Sequence, residues 1–150
     1  MTFQIRRASL ADLRTVAELF DGYRQFYGQP ADYPLAEAFL RDRFTHNDSV
    51  VFLAIDPQSA NGLGFVQLYP SFSSVAARRI WILNDLFVAP AARQRGAGRA
   101  LLDAARDHGK ATGAKRLVLS TAITNREARA LYEAYGYKQE DVFLVYKLEL

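Results

Sequence analysis

The chain has 150 residues, 50% of them apolar and 23% charged, which fits a single globular domain, 1–150, with one well-buried core and excludes a disordered chain. It contains no cysteine, so a disulfide framework and thiolate metal sites are excluded, and His46 and His108 have no ligand-like spacing, so no metal is expected. The net charge of +3 is unevenly distributed: the first 75 residues carry 6 Lys/Arg against 8 Asp/Glu and the last 75 carry 13 against 8, with seven of those basic residues between Arg93 and Arg116. An anionic partner is therefore expected for the second half, and charge alone fits nucleic acid or a phosphorylated small molecule.

No apolar run approaches the roughly 18 residues that span a bilayer, and the opening MTFQIRRASL lacks the apolar centre of a secretory signal, so a cytoplasmic protein without membrane contact is expected. In chain order, Phe3 to Arg7 reads as a strand. Ser9 and Asp12 have capping-box spacing, and Leu13, Val16, Ala17 and Phe20 recur at helical intervals, predicting a helix over about 10–27 that ends at Gly28-Gln29-Pro30. Leu35, Ala38, Phe39 and Phe44 mark a second helix.

Val50 to Ile55 and Leu63 to Tyr69 flank a loop rich in Pro, Asn and Gly, which predicts an antiparallel pair. Arg79 to Val88 is apolar at nearly every position, as expected for a central strand buried on both faces, apart from Asn84-Asp85. Pro90 ends it. Arg99 to Thr112 reads as a helix and Lys115 to Thr121 as a strand, so this strand–helix–strand run predicts a parallel pair. Thr124 and Glu127 repeat the capping-box pattern before a helix through about Tyr135, with Gly136 as its stop. Gly136 to Gln139 and Val142 to Leu148 are predicted as closing strands. The result is an α/β (α+β) fold in the order β-α-α-β-β-β-α-β-α-β-β, a mixed sheet of six to seven strands with helices on both faces.

The segment Arg93-Gln94-Arg95-Gly96-Ala97-Gly98-Arg99 lies between the buried strand and the next helix. Glycine lets the backbone approach a ligand closely, and the first amides of a helix favour phosphate oxygens. A dinucleotide fingerprint is disfavoured because Leu101 occupies the position that needs a small residue, and no Gly-Lys-Ser/Thr ends a P-loop. Hydrolase chemistry has no Gly-x-Ser-x-Gly elbow, and Trp81 reads as core. Asp85 is a carboxylate on an apolar strand. It is either a candidate functional carboxylate or a strand-end partner of Arg78 or Arg79. The first two helices interleave Glu18, Asp21, Asp32, Glu37 and Asp42 with Tyr23, Phe26, Tyr27 and Tyr33, a composition that suits a cationic amine.

Together these segments resemble the GCN5-related N-acetyltransferases (GNAT) over essentially the whole chain. The family's Arg/Gln-x-x-Gly-x-Gly/Ala element is matched by Arg93-x-x-Gly96-x-Gly98 after Leu86-Phe87-Val88 and Pro90. Its later element is matched by Asn125, Tyr132 and Gly136-Tyr137. Tyr69 to Phe72 and Trp81 to Val88 look most like the diamine and polyamine branch (spermidine/spermine and thialysine acetyltransferases), although Asn84 stands where that branch has glutamate. The resemblance implies a sheet that splays at the end of the central strand, and an acetyl-CoA-dependent N-acetyltransferase acting on a small basic amine by direct attack in a ternary complex. It assigns acetyl-CoA to Leu86, Phe87, Val88, Arg93, Gln94, Arg95, Gly96, Ala97, Gly98, Arg99 and Asn125. Tyr132 becomes the acid for the departing thiolate, Asp85 the base or ammonium-binding group, and Asn84, Asp85, Tyr27 and Tyr69 the acceptor site. It further suggests a homodimer, for which Val142 to Tyr146 is a candidate segment. The alternatives that stay open are a protein, peptide or antibiotic amine as acceptor, a non-catalytic acyl-CoA-binding module, and a nucleic-acid-binding protein.

Overall fold

A computed structural model describes residues 3–150. The chain divides into two units, one running to Ser120 and the other spanning Thr121–Leu150. In the first, β1 (Gln4–Arg7), β2 (Val50–Ile55), β3 (Gly62–Ser73), β4 (Arg78–Val88) and β5 (Leu117–Leu119) form one sheet in that spatial order. The first four strands pair antiparallel and β5 joins β4 in parallel, giving the mixed sheet expected. β2 alternates between two layers: Val51 and Leu53 belong to a core with Val16, Phe20 and Leu40, whereas Phe52 meets His108 at 5.7 Å. Because successive strand residues face opposite sides, α1 (Leu13–Phe26) and α2 (Tyr33–His46) cover one face and α3 (Ala97–Ala111) the other.

Local chemistry sets the helix ends. The Asp12 carboxylate accepts the Ser9 amide at 2.9 Å and a two-pronged contact from Arg6 at 2.7 and 2.8 Å, which holds its pKa below the usual carboxylate range. A 3-10 turn, Leu10–Asp12, therefore precedes α1. Asp32 caps α2 by accepting from the Leu35 amide, and Asn47 closes that helix in the left-handed region at φ 50°. Trp81 is buried, as expected for core, with its indole N–H donating to Thr112 at 2.8 Å.

The register of β3 against β4 slips once. Gln67 lies opposite Asp85 but Leu68 lies opposite Leu83, so Asn84 is an extra residue on β4, a β-bulge. Pairing with β5 stops at Leu83–Leu119, while β4 continues to Val88 paired with β3 alone. This is why β5 ends before the expected Thr121: past Leu119 the bulge leaves it no partner on β4.

In the second unit, α4 (Arg126–Tyr135) is capped by Asn125, whose side chain accepts from the Ala128 amide at 3.2 Å, one residue beyond the Thr124 cap expected from sequence. Gly136 ends it at φ 118°, a conformation that favours glycine. The strands expected at Gly136 to Gln139 and Val142 to Leu148 are not formed, so the described sheet has five strands rather than six to seven. The Glu140 carboxylate accepts the amides of Val142 and Phe143 at 2.6 and 3.3 Å, which takes them out of any ladder. Among the described residues no helix is long and apolar enough to cross a membrane.

Candidate active site

The bulge determines what β4 presents. The Ala89 amide donates to Leu63 O on the β3 side, so by strand alternation the Phe87 amide also faces β3, while those of Leu86 and Val88 face away. Upstream, the Trp81 amide donates to Arg116 O on the β5 side. Without the extra residue at Asn84 this parity would turn Leu86 and Val88 toward β3. With it, two alternate amide positions of β4, Leu86 and Val88, face the edge that β5 has vacated. Gly64 makes the close approach possible: a Cβ there would lie 2.6 Å from Phe87 O.

The same bulge brings Asp85 onto the α1 face beside Phe87. Asp85 is 2% exposed, accepting Gln67 Nε2 at 2.5 Å and Asn84 Nδ2 at 2.9 Å. Burial raises its pKa above the usual carboxylate range, against the lowering effect of hydrogen bonds from Gln67, Asn84 and Tyr23. It makes no ion pair with Arg78 or Arg79; those arginines lie elsewhere, Arg78 donating to Gly113 O and Arg79 covering the rings of Phe72 and Trp81. Tyr23 Oη donates to Asn84 O at 3.4 Å, and its ring contacts Phe65, Phe87 and Tyr27. Tyr27 is half-exposed and touches Phe26 at 5.3 Å. Tyr69 is partly buried on β3, and its phenol is pushed well up, first by burial and then by the Asp85 charge. The expected acceptor residues Asn84, Asp85, Tyr27 and Tyr69 thus belong to one aromatic-walled region.

Beyond β4, Gln94 and Gly96 both adopt positive φ, 61° and 86°, before α3 begins at Ala97. The first helical bond runs from the Ala100 amide to Gly96 O, so the amides of Ala97, Gly98 and Arg99 stand outside the helical ladder. Gly96 supplies no side-chain cap and the first turn of α3 has no acidic residue, so the positive end of the helix dipole meets no carboxylate of its own. Such a turn can hold a phosphate, with Arg95 and Arg99 nearby in sequence. Arg93 has a different structural role: its Nε donates to Val88 O at 2.9 Å and its guanidinium lies 5.8 Å from the rings of both Phe26 and Phe87.

In the second unit, Tyr132 is buried on α4 and its ring meets Tyr137 at 5.8 Å, while Asn125 has the capping role already described. Among the described residues no cluster of His, Asp or Glu could hold a metal ion. Gln67 is absent from the sequence-based site, whereas Tyr23, expected there only as one of the aromatics on the first two helices, has a specific partner in Asn84 O. Gln67 was visible as the lone amide in the apolar run Leu63 to Leu68, but its partner depends on a register that no spacing reveals.

This arrangement joins backbone donors at a splayed strand edge, a phosphate-compatible turn and a buried carboxylate. The Acetyltransferase (GNAT) family model matches residues 13–137. An uncharacterized N-acetyltransferase, YhfO of Bacillus subtilis (strain 168), is 48% identical over 146 residues, 97% of each chain. A crystal structure of a probable acetyltransferase, 38% identical, superposes with a TM-score of 0.93 over 98% of this chain and 97% of that one. An aminoglycoside N-acetyltransferase solved in complex with CoA shares the fold at 20% identity, with a TM-score of 0.79 and coverage of 99% and 96%. The chain belongs to the GNAT family and is an N-acetyltransferase.

Proposed function

We propose that the enzyme transfers the acetyl group of acetyl-CoA to a primary amine whose proton is taken by Asp85, directly or through water. The observation that carries this reading is the bulge at Asn84, which both places the buried Asp85 carboxylate and turns the Leu86 and Val88 amides to the open edge of β4. Acetyl-CoA supplies an acetyl group already activated as a thioester. The residues fit it: the turn Gln94–Arg99, with its amides outside the helical ladder, suits the pyrophosphate, and the β4 edge suits the pantetheine arm. Leu86 and Val88 supply donors for the carbonyl oxygen that gains charge during transfer. Arg93 fixes the Val88 carbonyl and so braces that strand end.

A primary amine is mostly protonated at neutral pH, so a base must act before attack. A carboxyl group that burial has made more basic is suited to this, and its setting among Tyr23, Phe65 and Phe87 excludes competing water. By the family pattern, Asn125 holds the pantetheine arm and Tyr132 returns a proton to the departing thiolate; a phenol is protonated at neutral pH and can donate. The two units are read as parts of one catalytic domain because the family match crosses their boundary at Ser120.

The acids on α1 and α2 argue for an amine with one positive charge. Four of the five are engaged: Glu18 pairs with Arg14, Asp21 accepts the Asp32 amide, Asp32 caps α2 and Glu37 pairs with Arg41, while Asp42 is exposed on α2. What remains around Asp85 is aromatic. The acceptor is therefore a small monoamine with an apolar or aromatic group against Tyr23 and Tyr27, in preference to a polyamine, whose additional ammonium groups would compete with these existing pairings. The test is release of coenzyme A with aralkyl amines and amino acids set against diamines and polyamines; higher kcat/KM for the polyamines would reject this acceptor assignment.

A further inference from the structure

Gln67 is fully buried, yet its carbonyl Oε1 has no hydrogen-bond partner. A buried, unpaired acceptor is uncommon. Its amide nitrogen donates to Asp85 Oδ2, and strand register sets the two residues directly opposite each other at the bulge. Asn84 Nδ2 takes the other carboxylate oxygen, Oδ1. The two amides therefore donate to the carboxylate, one at each oxygen, and a proton placed on Oδ2 toward Gln67 would face an N–H donor in place of an acceptor.

We propose that Gln67 is a positioning residue for proton transfer, its side-chain amide donating to ionised Asp85 and turning over to accept the carboxyl proton through Oε1 once Asp85 has been protonated. In the transfer an N–H bond of the protonated acceptor breaks, its electron pair stays on nitrogen and an O–H bond forms at Asp85 Oδ2; nothing is oxidised or reduced. The turned amide presents an acceptor to that new O–H, and the atom left unpaired changes from Oε1 to Nε2. One side chain thus serves both states of the carboxyl group without moving a strand. The other groups facing Asp85 are Tyr23 from α1, Tyr69 from β3 and Asn84 from β4, with Arg43 and Asp48, at the end of α2, acting on Tyr69. None of them pairs an amide with Oδ2.

The inference rests on Asp85 as the base, and its test keeps the two apart. In the unaltered protein, NMR of 13C-carboxyl aspartate and of glutamine side-chain amides should show Gln67 and Asp85 titrating with the same midpoint. Gln67→Met loses a charge-assisted bond to the ionised form and a weaker neutral bond to the protonated form, and the difference should raise the Asp85 midpoint by about half to one pH unit. The acid limb of kcat/KM for the amine should rise by the same amount, with KM for acetyl-CoA unchanged. Gln67 amide signals that stay flat through the Asp85 titration, or an unmoved Asp85 midpoint in folded Gln67→Met, would overturn the proposal. A raised midpoint with an unmoved acid limb would uphold the Gln67–Asp85 coupling and reject Asp85 as the base. Should Gln67→Met fail to fold, the titration of the unaltered protein still decides.

Discussion

Gln67 and Asp85 face one another across β3 and β4 at the residue pair where the register slips, and everything downstream on β4 takes its orientation from that slip. One inserted residue, Asn84, both places a carboxylate on the aromatic face and turns two amide positions to the opened edge. A buried carboxylate and a pair of outward-facing amides thus arise from a single departure from regular pairing.

Replacing Asp85 with Asn removes the titrating group and keeps its shape. Acetyl transfer at neutral pH should fall about 10²–10⁴-fold, the usual scale for a positioned acid or base. Stability should respond with the opposite sign. The folded-state pKa of Asp85 is raised, so its contribution is fully present below the unfolded value of about 3.9 and is lost as pH rises through the folded value. Thermal melts should therefore show Asp85→Asn gaining on the unaltered protein between acid and neutral pH. A constant difference in Tm across that range would contradict the raised pKa.

Gly64→Ala tests the close approach of β3 and β4. The added Cβ would meet the backbone oxygen of Phe87 at 2.6 Å and Val88 Cα at 3.1 Å, and backbone cannot rotate aside as a side chain can. A loss of about 1–3 kcal/mol is expected, measured by denaturant unfolding. The surviving folded enzyme should also be slower, because Phe87 and Val88 lie in the strand end that carries the donors.

His108 reports on the opposite face of the sheet. It packs against Trp81 at 4.8 Å and Phe52 at 5.7 Å, and burial lowers its pKa, aided by the charge of Arg7. A histidine kept neutral by the fold contributes stability that is present above the unfolded pKa of about 6.5 and lost as pH falls toward the folded value. His108→Phe should flatten the acid side of the Tm profile below about pH 6.5 while leaving acetyl transfer at pH 8 within about twofold. An unchanged acid limb would show that His108 does not drive it.

Tyr132→Phe retains the ring that meets Tyr137 and removes the phenolic proton. An acid role for Tyr132 predicts a fall in kcat of about 10²-fold with little change in KM for acetyl-CoA. Equal kcat in the two proteins would remove Tyr132 from the mechanism.

Much of this was legible in the sequence because it depends on local signals. Asp85 stands out as a charge in the run Ile80 to Val88, and Gly96 stands out as the residue able to take a positive φ before a helix. Gly136 was readable as a helix stop for the same reason. The register of β3 on β4 was not legible, since a bulge is a relation between two strands and leaves both apolar patterns intact. That is why Gln67 escaped notice and why β5 proved shorter than its apolar run. Arg93 shows a related limit: the motif identifies an arginine near a phosphate turn, but only the fold reveals its bond to Val88 O. Val142 to Leu148 has strand composition, yet composition cannot provide a neighbouring strand, and Glu140 takes its first amides.

The most direct test of the account is steady-state release of coenzyme A from acetyl-CoA by the unaltered enzyme and Asp85→Asn, assayed with an aralkyl monoamine from pH 6 to 9. The account predicts amine-dependent release by the unaltered enzyme, reduced at least 10²-fold in Asp85→Asn at neutral pH and partly recovered as rising pH deprotonates the free amine. Equal release by the two proteins across this range would contradict it.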